Sequence, residues 1–86
     1  MVNRQYKAEA ALRKLIYPLC HEADELRAQR QYAQAEQLYL RALVLTEFLC
    51  GRDHQFIAVI CHNLAVLLKR KAQNTAGPDE QELPEE

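Results

Sequence analysis

The stretch Arg30-Gln31-Tyr32-Ala33-Gln34-Ala35-Glu36-Gln37-Leu38-Tyr39-Leu40-Arg41-Ala42-Leu43 decides the fold class. From Tyr32 onward, Tyr32, Ala35, Leu38, Tyr39, Ala42, Leu43, Thr46 and Leu49 recur at helical spacing. That period puts them on one face of an α-helix running to about Leu49. Gly51 is expected to end this helix, because a positive-φ cap favours the residue without a Cβ. Asp53 is the expected N-cap of the next helix.

Upstream, residues 3–16 predict a helix with Asn3 as its cap and with Ala8, Ala11, Leu12, Leu15 and Ile16 on its apolar side. Pro18 interrupts the pattern. A proline inside a helix lacks the N–H and crowds the preceding turn, so a break or sharp kink is expected there. A second helix should then run to about Gln29, with Leu19, Ala23, Leu26 and Cys20 inward. Its wet side holds Glu22, Asp24, Glu25 and Arg27. Arg30-Gln31 then forms a tight turn, which makes a helical hairpin.

Downstream, a helix is expected over about Gln55 to Ala72. Phe56, Ile57, Val59, Ile60, Cys61, Leu64, Val66, Leu67 and Leu68 leave its first three turns almost no polar face. A helix apolar nearly all round is buried on more than one side. Such a short chain covers only one side, so a twin chain is expected to meet Phe56, Ile60, Leu64 and Leu67 in a homodimer. Lys69-Arg70-Lys71 complement the helix dipole at the C-terminal end. Residues 1–73 are read as one domain and 74–86 as an acidic, disordered tail.

Composition agrees with an all-α domain. The chain has 86 residues, 49% of them hydrophobic, and two glycines. Its net charge is −1, but five of its twelve acids lie after residue 71, where no Lys or Arg occurs. The body therefore carries 11 − 7 = +4. No Lys/Arg stripe interleaves with aromatics, so nucleic-acid binding is not expected. No apolar run approaches the ~20 residues of a membrane span. Three cysteines, Cys20, Cys50 and Cys61, show no framework spacing, and the N-terminus shows no signal-peptide pattern. A reduced, cytoplasmic protein with free thiols is expected.

Ala35-x3-Tyr39-x2-Ala42, followed by Gly51-Arg-Asp53-His54 and His62-Asn63-Leu64-Ala65-x2-Leu68, resembles a tetratricopeptide (TPR) repeat. It is most similar to the long-repeat form of kinesin light chains. Aligning Ile16 with Ala58 and Ala23 with Ala65 gives a period of 58 − 16 = 42 residues, against about 34 in the usual repeat. The resemblance covers about residues 16–71. It implies antiparallel helical hairpins, about one and a half repeats plus an N-terminal helix. It also implies a non-enzymatic adaptor or scaffold that binds a peptide or helix of a partner protein. Glu22 departs from the pattern where Leu is usual, and Arg30 stands in place of the turn glycine.

The same resemblance implies a binding groove. Asn63 would clamp a peptide backbone, which needs both a donor and an acceptor. His62, Lys69 and Arg70 would line the groove, with Tyr17, Asp24 and Arg27 opposite. The carboxylate-clamp variant of the family has Lys and Asn where this chain has Cys20 and Asp24, so that ligand class is not expected. His54 would be a structural linker residue.

Chemistry is not expected. Cys50, His54, Cys61 and His62 have ligand-type side chains, but C-x3-H-x6-C-H is not a zinc spacing. Cys20-His21 and Cys61-His62 lack a third, orienting residue for a nucleophile. No catalytic residue, metal or cofactor is therefore assigned. Two rival readings remain open. One is a three-helix bundle like the microtubule-interacting-and-transport domain, which binds partner helices. The other is a purely structural oligomerisation subunit.

Overall fold

The computed structural model describes residues 4–75, with side chains over 7–73. The expected cap Asn3 and all of the expected tail after Thr75 lie outside the described residues. The fold is all-α, as expected. Its elements are α1 (Arg4–Ala11), a π-turn (Leu12–Ile16), α2 (Tyr17–Ala28), α3 (Tyr32–Cys50) and α4 (Gln55–Thr75). Among the described residues there is no strand.

The expected break at Pro18 is corrected. Ala11, Ile16 and Tyr17 all keep right-handed helical dihedrals, so residues 4–28 form one continuous helix. The chain accommodates proline by widening the turn before it. The Tyr17 amide donates to the Leu12 carbonyl, five residues back. Proline has no N–H to lose from this ladder, and the wider turn gives its ring room against the preceding carbonyls. The extra residue also straightens the buried stripe. Ala8, Leu12, Ile16, Cys20 and Ala23 are all buried. Spacings of four in an ordinary α-helix would drift by about 40° each. Leu15, expected inward, is exposed as a result.

The first helix and α3 pack antiparallel. As α3 runs forward from Tyr39 to Cys50, its partners run back from Asp24 to Ala8. The Tyr39 hydroxyl donates to Asp24, and Cys50 Sγ lies 3.6 Å from the Ala8 carbonyl. The turn between them satisfies the last carbonyls of α2. Arg30 N–H donates to Arg27 O at 2.9 Å and Gln31 N–H to Leu26 O at 2.8 Å. That pair of bonds requires a left-handed residue at Arg30, whose φ is 66°. An L-residue other than glycine is strained there.

The turn from α3 to α4 uses glycine for the same purpose. Gly51 has φ 101° and its N–H caps Thr46 and Glu47 carbonyls, as expected. The cap of α4 differs from expectation. His54 Nδ1, not Asp53, accepts the Phe56 N–H at 3.1 Å. The helix begins at Gln55, so His54 is the residue in the capping position. At the other end α4 continues to Thr75, past the expected Ala72. The first helix-breaking pair, Gly77-Pro78, comes later.

Helix α3 is the centre of the fold. Ala35, Tyr39, Ala42 and Thr46 on it are fully buried. The two alanines let neighbouring helices approach closely, and Tyr39 fills the space between them. The Thr46 hydroxyl is satisfied by donating to Ala42 O at 2.7 Å. Both α2 and α4 pack along α3. The first helix and α4 touch each other little, so the molecule is a layer of three helices with α3 in the middle.

Candidate peptide-binding groove

A groove follows from that layering. Its floor is α3 and its walls are the first helix and α4. At one level the walls meet, where Tyr17 and Phe56 stack edge to face with ring centroids 5.1 Å apart. Beyond that stack lies a trough of about 680 Å³. Leu12, Phe56 and Val59 give it apolar walls, and Cys50 reaches it from α3. The carboxylates Glu9 and Asp53 line it as well, and both residues are exposed.

The orientation of α4 decides which expected groove residues face this space. Ile60 and Leu67 are fully buried and mark the side against α3. At about 100° per residue, His62 and Lys69 point almost directly away from α3. Both are exposed and stand outside the groove. Asn63 is half-buried and lies on the same side as Phe56, facing the first helix. Arg70 is exposed on that side too.

On α2, Asp24 and Arg27 are already engaged. Asp24 accepts the Tyr39 hydroxyl bond, and Arg27 Nη2 lies 3.9 Å from the same carboxylate. Burial and this hydrogen bond to Asp24 raise the Tyr39 hydroxyl above its ordinary range. Asp24 thus ties α2 to α3, and Arg27 pairs with it within α2, so both are less available to a ligand. Of the expected set only Tyr17 lines the trough; Asn63 and Arg70 stand on the same side of α4 as Phe56 but further along the helix, outside the lining. Lys71, on the α3 side of α4, bonds Glu36 of α3 at 3.0 Å.

The expected self-association set needs correcting. Ile60 and Leu67 are fully buried within one chain, and Phe56 and Leu64 pack on the same core. These four are therefore not a free surface for a twin. The four residues expected to meet a twin form the inward face of α4. Val59, on the groove side, and Leu68, on the opposite side, are the exposed large apolar residues of α4.

Cys20 and Cys50 are placed for packing, and Cys61 is exposed. Burial and the nearby Asp24 charge push the Cys20 thiol up to about 11. Burial likewise raises Cys50. Thiols held protonated at neutral pH are poor nucleophiles. Among the described residues no three His, Cys, Asp or Glu side chains gather as a metal site. No described helix is long and apolar enough to cross a membrane.

Sequence reasoning missed two features of this molecule. The Tyr17–Phe56 stack joins residues from distant parts of the chain, and no local pattern signals it. The outer side of α3 carries Leu40, Val44 and Phe48, all exposed. Their regular spacing of four was visible but lay off the stripe that defined the helix. Comparison with protein-family models, curated proteins and solved structures found no match.

Proposed function

We propose that this chain is a non-enzymatic protein-interaction module, a TPR-like adaptor that takes a peptide or helix of a partner protein in the groove and also self-associates. The observation that carries the reading is the open trough: two helices flank α3 yet meet mainly at one aromatic stack. Apolar walls with a few polar groups suit a peptide ligand. Tyr17, Phe56 and Val59 supply apolar contact. Asn63 and Arg70, further along the same side of α4, would contact a ligand that extends past the Tyr17–Phe56 stack. The layered arrangement favours this reading over a closed three-helix bundle, in which the first and last helices would pack along their lengths. Three free cysteines fit a reducing compartment, and the cytoplasm is the proposed site of action.

A displayed random-peptide library panned against the chain tests this. Enrichment of a peptide family is expected. Val59→Glu should abolish its binding and Asn63→Ala should weaken it about tenfold, an energy of about 1.4 kcal/mol. Neither should lower the melting temperature by more than a few degrees, since Val59 is 45% exposed and Asn63 is only half-buried. Absence of enrichment, or binding indifferent to both substitutions, would count against the groove.

A further inference from the structure

The trough beside the Tyr17–Phe56 stack has a charge as well as a shape. Two carboxylates, Glu9 and Asp53, line it, and no Lys or Arg does. The body of the chain is otherwise basic, with 11 bases against 7 acids over residues 1–71. The neighbouring polar side chains bring no positive charge. His54 accepts the Phe56 N–H through Nδ1 at 3.1 Å, which needs that nitrogen unprotonated. Cys50 Sγ faces the Ala8 carbonyl at 3.6 Å, and burial keeps the thiol protonated. Backbone dipoles do not reverse the sign. The C-terminus of α3 and the N-terminus of α4 meet here, and their partial charges oppose.

Both carboxylates are available to a ligand. Asp53 is exposed and has no ion-pair partner among the described residues. Glu9 lies 3.9 Å from Arg13, four residues along the chain, and their side chains are 69% and 65% exposed. An ion pair so open to water is weak, and giving it up costs little.

We infer that the trough takes a segment of a partner protein in which a large apolar residue adjoins a Lys or Arg. The apolar side chain lies against Leu12, Phe56 and Val59, and the cation meets Glu9 and Asp53. A Lys or Arg runs its apolar stem along the same wall and keeps its head in water, where these carboxylates are. The volume of about 680 Å³ suits a short segment rather than a folded surface. The same sign turns away acidic peptides. It also turns away the chain's own C-terminal segment, which holds five acids and no Lys or Arg after residue 71. The sign of the ligand refines the peptide-groove reading and depends on it.

The test is fluorescence anisotropy of the full chain with labelled octapeptide pools. One pool has Arg at its centre and Leu, Phe, Ser or Gly elsewhere. The second has citrulline in place of Arg, which keeps the shape without the charge, and the third has Glu. The Arg pool should bind about tenfold tighter than the citrulline pool, and the Glu pool weakest. Glu9→Gln and Asp53→Asn should each weaken the Arg pool about two- to fivefold and leave the citrulline pool unchanged. Glu9→Lys should move the preference toward the Glu pool. Val59→Asn removes apolar contact without adding charge and should weaken the Arg and citrulline pools by the same factor. Equal binding of those two pools, both weakened by Val59→Asn, overturns the charge match and leaves the groove reading standing. An Arg preference that survives both Glu9→Gln and Asp53→Asn puts the cation elsewhere and also overturns it. Binding of no pool overturns it too, and an empty random-peptide library besides would take the groove reading with it.

Discussion

The two sides of α3 differ in side-chain size in a way that assigns each its role. The inner side alternates alanine with one large residue: Ala35, Tyr39, Ala42, then Thr46, all fully buried. The outer side places Leu40, Val44 and Phe48 in a row with no small residue among them, and all three are exposed. Small residues make sense only where another helix must come close, and the inner side has two such neighbours. The outer row is shaped to project. Hydrophobicity alone does not distinguish the sides; the distribution of volume does.

That contrast can be broken most severely from the inside. Tyr39→Ala removes the largest buried side chain and leaves the space between three helices unfilled. A loss of about 3–5 kcal/mol is expected, enough to unfold a small domain. Denaturant titration measures it. Ala42→Leu attacks the same side by overfilling it and should cost about 1–3 kcal/mol. If Ala42→Leu proved neutral, close approach of the helices would not be what the alanines provide.

Titration reaches the inner side without mutation. The folded Cys20 thiol keeps its proton to about pH 11, whereas the ordinary thiol loses it near 9.0. Between those values the unfolded chain ionises first, so stability falls as pH rises. Tyr39, also raised, acts in the same direction at still higher pH. A loss on the order of 1–2 kcal/mol between pH 8 and about pH 11 is expected, smaller in Cys20→Ala. Chemical denaturation at the two pH values checks it.

The two turns offer a smaller comparison of the same kind. Gly51 occupies its positive-φ position without strain, and Arg30 does not. Arg30→Gly should therefore stabilise the fold by about 0.5–1 kcal/mol, the relief being partly offset by glycine's freedom in the unfolded chain. Smallest of all is Phe48→Ser. At concentrations where the chain is monomeric it should change stability by less than about 0.5 kcal/mol, since the ring is mostly in water. A larger loss would mean that the outer row is held by contacts within the chain.

Much of this architecture was legible in the sequence because it is local. The α3 stripe, the start at Tyr32, the stop at Gly51 and the hairpin at Arg30-Gln31 each depend on a few adjacent residues. The face that α4 presents to α3 was not legible. Its first turns are apolar nearly all round, so periodicity names no direction, and only packing selects the stripe from Phe56 to Leu67. Pro18 misled for a related reason. A proline excludes an ordinary α-turn, but it does not exclude a wider one, and the choice depends on keeping Leu12 and Ile16 in the core. Of the expected groove, Tyr17, Asn63 and Arg70 stand on its side of the molecule. His62 and Lys69 do not, because their placement follows from the rotation of α4, which was undetermined.

The π-turn before Pro18 has a consequence for building with this chain. It acts as a phase shifter: one additional residue rotates everything N-terminal to it relative to everything after. Ala8 and Leu12 meet α3 only because that offset is present. Forcing an ordinary α-turn here at unchanged chain length would swing α1 by about 100°, turning its apolar side to water, whereas deleting Lys14 would let an α-turn replace the wide one and keep the phase. A foreign N-terminal helix grafted ahead of Tyr17 would need its apolar stripe set to the phase that this turn gives Ala8 and Leu12. Length variation in this segment is thus quantised by angle, and a swap that matches hydrophobicity but ignores phase would fail.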